Sequence, residues 1–173
     1  MTTSLEGILP SSKAFTEMPP QTRIWIYQAS REIPSEMYPA VKDVLKRFAE
    51  SWTSHNNQLH AYADLLLNRF LILAVDETRA GASGCSIDTS VRFIQQLGEQ
   101  LKVDFFDRLT FAWLENGEVK TAHQEDFARL FAEGKINKDT LVFDNLVNNK
   151  ADFEKGWIKP LGKSWHKRMV EKG

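Results

Sequence analysis

Cys85 is the only cysteine of the chain, and it falls in Gly81-Ala82-Ser83-Gly84-Cys85-Ser86, between an apolar run and an amphipathic stretch. A thiol beside a helix N-terminus gains thiolate character from the positive end of the dipole, and Arg79 and Arg92 are near in sequence. With His60 or His123 as base, Cys85 would be a nucleophile. Asp76, Glu77 and Asp88 oppose a thiolate there, and a lone cysteine among small residues commonly serves only to pack. Two readings therefore stand: a thiol-dependent enzyme using Cys85 and His60, or an inert side chain. The same loop has a second pair of readings. Gly81, Ser83, Gly84 and Ser86 could offer backbone N–H groups to an anion, or they could only turn a strand tightly into a helix.

His60, Tyr62 and Asp64 alternate, so one strand face would carry all three, an arrangement suited to a hydrogen-bonded general base or to a wet surface. His55, His60, His123 and His166 show no His-x3-His spacing, and one cysteine cannot build a thiolate zinc site. No metal and no cofactor are expected. A phosphate-cradling loop requires Gly-x4-Gly-Lys-Ser/Thr between strand and helix. The nearest approach, Gly156 to Gly162-Lys163-Ser164, places five residues between the glycines and puts Trp157 and Pro160 inside the would-be loop. ATP hydrolysis has no motif here.

Lys155, Lys159, Lys163, Lys167, Arg168 and Lys172 interleave with Trp157 and Trp165 near the C-terminus. Basic residues among aromatics can grip nucleic acid through phosphate contact and stacking. The whole chain carries a formal charge of −1, which argues against that role and for a solvated end held down by its tryptophans. Trp113, Trp157 and Trp165 are instead the candidate binding residues of an aromatic surface for a protein or peptide.

The elements that must hold these residues follow from periodicity. Phe70-Leu71-Ile72-Leu73-Ala74-Val75 is short, apolar and branched, a strand buried on both faces. After the Gly/Ser loop, Ile87, Val91, Ile94, Leu97 and Leu101 recur at steps of three and four, one helical stripe with Ser86 as its expected N-cap and Asp88 in its first turn. Upstream, Ile24-Trp25-Ile26-Tyr27 alternates as a strand. Met37, Val41, Val44, Leu45, Phe48 and Trp52 form a helix face, and Leu59 to Leu66 alternates as a half-buried strand. Leu109-Thr110-Phe111-Ala112-Trp113-Leu114 is a further strand. The order over 23–114 is β-α-β-β-α-β, which predicts an α+β fold with a ferredoxin-like core.

Glu115-Asn116-Gly117-Glu118 then predicts a type I′ hairpin. Gln124 to Gly134 reads as a short helix burying Phe127, Leu130 and Phe131, and Thr140 to Phe143 as a strand. Residues 1–22, with Pro10, Pro19 and Pro20 among Ser and Thr, read as a poorly ordered or draped arm. The expected divisions are that arm, the core at 23–114, a smaller unit at 115–165 and a basic tail at 166–173.

Composition bounds the class. A chain of 173 residues with 42% hydrophobic and 26% charged side chains has the profile of an ordinary globular protein. Residues 150–173 hold seven Lys/Arg against three Asp/Glu, so the rest of the chain is net acidic. The most apolar region, Leu65 to Val75, is broken by Asn68-Arg69 and is too short to span a bilayer. No membrane role is expected, and a single cysteine with no basic-apolar leader points to the cytoplasm.

Two resemblances rest on particular residues. Glu115-Asn116-Gly117-Glu118, Phe127 to Ile136 with its Gly134-Lys135-Ile136 ending, Asp139-Thr140-Leu141-Val142-Phe143 and Trp157-Ile158-Lys159-Pro160-Leu161 together resemble a bacterial GYF-like domain over about 109–162. That resemblance implies a small β-β-α-β unit and an interaction module, since GYF domains bind proline-rich peptides in an aromatic cleft. Arg23 to Arg31 together with Gly81 to Asp88 is similar to a small bacterial family of unassigned role whose members often carry the label ABC-transporter ATPase. The expected function is a non-catalytic interaction or adaptor protein with an aromatic C-terminal surface; the alternative is the Cys85 enzyme. An open sheet edge would also allow a homodimer.

Overall fold

A computed structural model describes residues 7–171. The chain runs through α1 (Lys13–Thr16), β1 (Arg23–Gln28), α2 (Tyr38–Ser51), the two-residue strands β2 (Thr53–Ser54) and β3 (Asn57–Gln58), β4 (Ala61–Leu66), β5 (Phe70–Val75) and α3 (Gly84–Leu101). It continues through β6 (Thr110–Glu115), β7 (Glu118–His123), α4 (Gln124–Ala132), β8 (Leu141–Phe143), α5 (Lys150–Gly156), β9 (Ile158–Pro160) and α6 (His166–Val170). The fold is α+β.

The first sheet has the order β1-β5-β4, with β5 antiparallel to both neighbours. All six residues of β5 are buried, and their alternation sends them to different layers. Leu71, Leu73 and Val75 face α2 and α3 through Leu45, Ile94 and Leu97. Phe70, Ile72 and Ala74 face the second sheet through Ala112, Phe143 and Trp157. That second sheet has the order β7-β6-β8-β9. Its far side packs Phe111, Trp113 and Val142 against Phe127 of α4 and against Trp165 and Val170 at α6. α2 with α3, the three-stranded sheet, the four-stranded sheet and α4 with α6 thus form four layers, and β2 and β3 pair apart from them as a two-stranded sheet.

One expectation is corrected, and two stretches take a definite form. β6, counted from sequence as the last strand of the 23–114 core, pairs with β7 and β8 in the second sheet, so the first sheet has three strands. Alternation along a strand fixes which residues point each way but carries no information about which strand lies beside it. The first six residues of the arm lie outside the described range; of the rest, Gly7 and Ser11 to Ala14 are exposed while Pro10, Phe15 and Met18 are buried. Phe15 and Met18 enter the layer between the sheets, and the Lys150 ammonium donates to the Thr16 and Met18 carbonyls at 2.9 and 2.7 Å. The basic tail begins as helix α6, with His166 buried, and only its last two residues are undescribed.

Two glycines have a clear physical reason. Gly117 takes φ +80° in the β6-β7 turn beside Asn116 at φ 54°, as a type I′ hairpin demands. Gly98 lets the chain fold back against α3, because a Cβ there would lie 2.7 Å from the Val103 carbonyl oxygen.

Candidate functional site

Cys85 is exposed at the second position of α3. The N-cap is Ser83 and not Ser86. Ser86 N–H donates to Ser83 Oγ at 3.2 Å while Ser83 N–H donates to Ser86 Oγ at 2.7 Å, a reciprocal capping box. No acidic residue lies in the first turn, so Asp88 falls beyond it. The only side-chain hydrogen bond at Cys85 among the described residues runs from the Thr89 hydroxyl to its backbone carbonyl, 3.0 Å, and no imidazole meets its sulfur. The anion reading of Gly81, Ser83, Gly84 and Ser86 meets an occupied loop. Ala82 N–H donates to Glu77 Oε2 at 3.0 Å, and the amides of Ser83 and Ser86 are spent on each other's hydroxyls. A carboxylate already sits where an anion would have to enter.

His60 is exposed just before β4, its carbonyl accepting from Asp76 N–H at 2.9 Å. The Tyr62 hydroxyl donates to Asp64 Oδ2, and Lys42 approaches Asp64 at 3.4 Å. Burial first, then the bonded carboxylate, pushes the Tyr62 hydroxyl upward. His60 takes no part in this pair.

The aromatic surface does not survive in the form expected. Trp157 is fully buried between Phe70, Phe143 and Phe153, at ring distances of 5.0 to 5.1 Å. Trp113 is 6% exposed and packs on Phe127. Of the three tryptophans only Trp165 is part-exposed, its indole N–H donating to Asp144 Oδ1 at 2.8 Å. The Lys/Trp stripe is dispersed by the same packing, because Lys159 pairs with Asp144 at 2.6 Å and Trp157 cannot stack on a base. The Gly156 to Ser164 stretch folds as the end of α5, β9 and a 3-10 turn, with Trp157 and Leu161 buried inside it.

Trp165 leads to a site the sequence did not mark. A groove of about 450 Å³ is lined by β1 and β6, by segments 105–109 and 145–148, and by Trp165, His166 and Met169. Its floor joins the two sheets by a chain of amides. Trp157 Nε1 donates to Asn145 Oδ1 at 2.9 Å, Asn145 Nδ2 to Gln28 Oε1 at 3.0 Å, and Gln28 Nε2 to the Thr110 carbonyl at 3.1 Å. Its rim is apolar. Leu109, Leu146 and Met169, at 50%, 67% and 41% exposure, are the large exposed hydrophobic side chains among the described residues, and all three line this one groove. Scattered exposed leucines need no explanation, but a cluster around one concavity does.

The electrostatics of the groove are simple. Hydrogen bonds from the Thr110 hydroxyl and then from Leu109 N–H hold the Asp107 carboxyl below the usual range, so its charge is used internally. His166, stacked on Trp165 at 3.7 Å and paired with Ser164 Oγ at 2.6 Å, is pushed down to about 4, chiefly by burial. It is neutral at pH 7. Ser164 is buried and does not line the groove, so this serine and histidine do not form an accessible nucleophile. Arg108 is exposed and has no ion-pair partner among the described residues.

Among the described residues no group of three or more His, Cys, Asp and Glu could hold a metal ion, and no helix is long and apolar enough to cross a membrane. Comparison with family models, curated proteins and solved structures finds no match to this chain.

Proposed function

We propose that this chain is a non-catalytic protein-interaction module whose binding surface is the groove between β1 and β6. The observation that carries the reading is the convergence of Leu109, Leu146 and Met169 on one concavity beside Trp165. Apolar rims around a groove with a few fixed polar groups are the usual make-up of a binding cleft. The GYF-like pattern over 109–162 points the same way, with the surface moved from the buried Trp113 and Trp157 to Trp165 and the three exposed side chains. Nothing in the groove offers an accessible nucleophile or an activated base.

The test is selection of a displayed library of random 12-residue peptides on the full chain and on Leu146→Asp, with thermal melts to show that both are folded. Peptides enriched on the wild-type chain and lost on Leu146→Asp support the reading. Equal enrichment on both, or none on either, defeats it.

A further inference from the structure

β1 pairs with β5 in a register that sets Arg23, Trp25 and Tyr27 opposite Val75, Leu73 and Leu71. Ala29 N–H donates to the Arg69 carbonyl at 2.8 Å on that side, whereas Ile24 N–H donates away from it, to the Asn148 carbonyl at 3.0 Å. Successive residues of an edge strand turn their amides to opposite sides, so Ile24, Ile26 and Gln28 present theirs to the outer edge. The beginning of that edge is occupied, since Ile24 is bound to Asn148 and Lys150 N–H donates to the Thr22 carbonyl at 2.9 Å. Further along, the outward backbone groups of Ile26 and Gln28 have no protein partner among the described residues. They line the groove.

An uncovered strand edge is a template for another strand unless charge, proline or a bulge blunts it. Ile26-Tyr27-Gln28 has neither charge nor proline. The edge lies among the 105–109 and 145–148 segments that line the same groove, with Ile26 half-buried and Gln28 7% exposed. Arg108 supplies the charge complement, as the exposed cation of the lining that no carboxylate neutralises among the described residues.

We infer that the groove takes an extended peptide by strand addition to β1 at Ile26–Gln28. Alternate apolar side chains of the peptide seat against Leu109, Leu146 and Met169, and a peptide carboxylate meets Arg108. Main-chain hydrogen bonds then give affinity and alternate side chains give selectivity. The inference rests on the groove being the binding surface and adds how, and to what chemistry, it binds.

The experiment uses the peptides selected on the full chain, made synthetically and titrated by fluorescence anisotropy. Strand addition predicts that N-methylation weakens binding about tenfold or more at every second residue and little in between, because only alternate amides face β1. Arg108→Gln is expected to cost about two- to fivefold, and to cost nothing at high salt. If binding needs Leu146 but ignores N-methylation, strand addition is wrong and the groove reading stands. Should no selected peptide depend on Leu146, both fall together. A concentration-dependent dimer that Leu146→Asp abolishes would make a second copy the occupant and overturn the peptide.

Discussion

The layer between the two sheets is treated in opposite ways along its length. Around Trp157 it is filled, with Phe15, Phe70, Phe143 and Phe153 packed ring on ring and all but absent from the surface. Between β1 and β6 lies the groove, where a chain of three side-chain hydrogen bonds makes the contact and the apolar residues Leu109, Leu146 and Met169 are exposed. The filled stretch is where apolar area stabilises the fold; the open stretch leaves three large apolar side chains exposed. The proposed binding surface rests on that contrast.

The difference can be broken by substitution. Trp157→Ala should cost about 3–5 kcal/mol, since it removes a fully enclosed indole and leaves a cavity among rigid rings. Leu146→Asp should change stability by less than about 0.5 kcal/mol, because the side chain is two-thirds exposed. Denaturant midpoints of the two variants measure the contrast directly. A Leu146→Asp variant as unstable as Trp157→Ala would show that the groove is part of the core and not a surface.

Acid should open the same contrast from the groove side. His166 has a folded pKa of about 4 against an ordinary value near 6.5, because burial disfavours its cation; Asp144 opposes that shift and Lys159 adds to it. The unfolded chain therefore binds more protons between those values, and stability is retained above about pH 6.5 and lost as pH falls toward 4. The loss approaches roughly 3 kcal/mol at about 1.4 kcal/mol per unit. His166→Gln should melt with a flatter pH profile than the wild-type chain across that window. Parallel profiles would show that His166 is not held neutral. Asn145→Ala comes next, at about 1–2 kcal/mol, because it leaves Trp157 Nε1 and Gln28 Oε1 without partners.

Of the filled stretch, the strand from Phe70 was legible in the sequence and the burial of Phe15 and Trp157 was not; the open stretch was not legible at all. Phe70 to Val75 is written as a run of branched apolar residues, and its burial on both faces follows from that run. The helical stripe of α3 is equally plain, although Ser83 and Ser86 were interchangeable as cap because each bonds the other. The groove has no such periodicity. Leu109 reads as the first residue of a strand, and Leu146-Val147 is a short apolar pair between Asn145 and Asn148, so neither marks a surface until the two segments are brought together. Tryptophan misled for a related reason: an indole suits a core and an interface equally, and Trp157 differs from Trp165 only in which layer covers it. The placement of β6 in the second sheet escaped because pairing partners are a tertiary choice.

Cys85 supplies the smallest effect and the cleanest control. It is exposed at the start of α3, outside the residues that line the groove, and its sulfur meets no imidazole among the described residues. Cys85→Ser should therefore leave the denaturant midpoint within about 0.5 kcal/mol of the wild-type chain and leave selected peptides bound with unchanged affinity. An exposed thiol should also alkylate in the folded protein without denaturant, and the alkylated chain should bind as before. Loss of peptide binding on alkylation, with the melt unmoved, would place the ligand against α3 and return the Gly81 to Ser86 loop to the centre of the problem. Unchanged binding would leave the groove between β1 and β6 as the feature that separates this molecule's surface from its core.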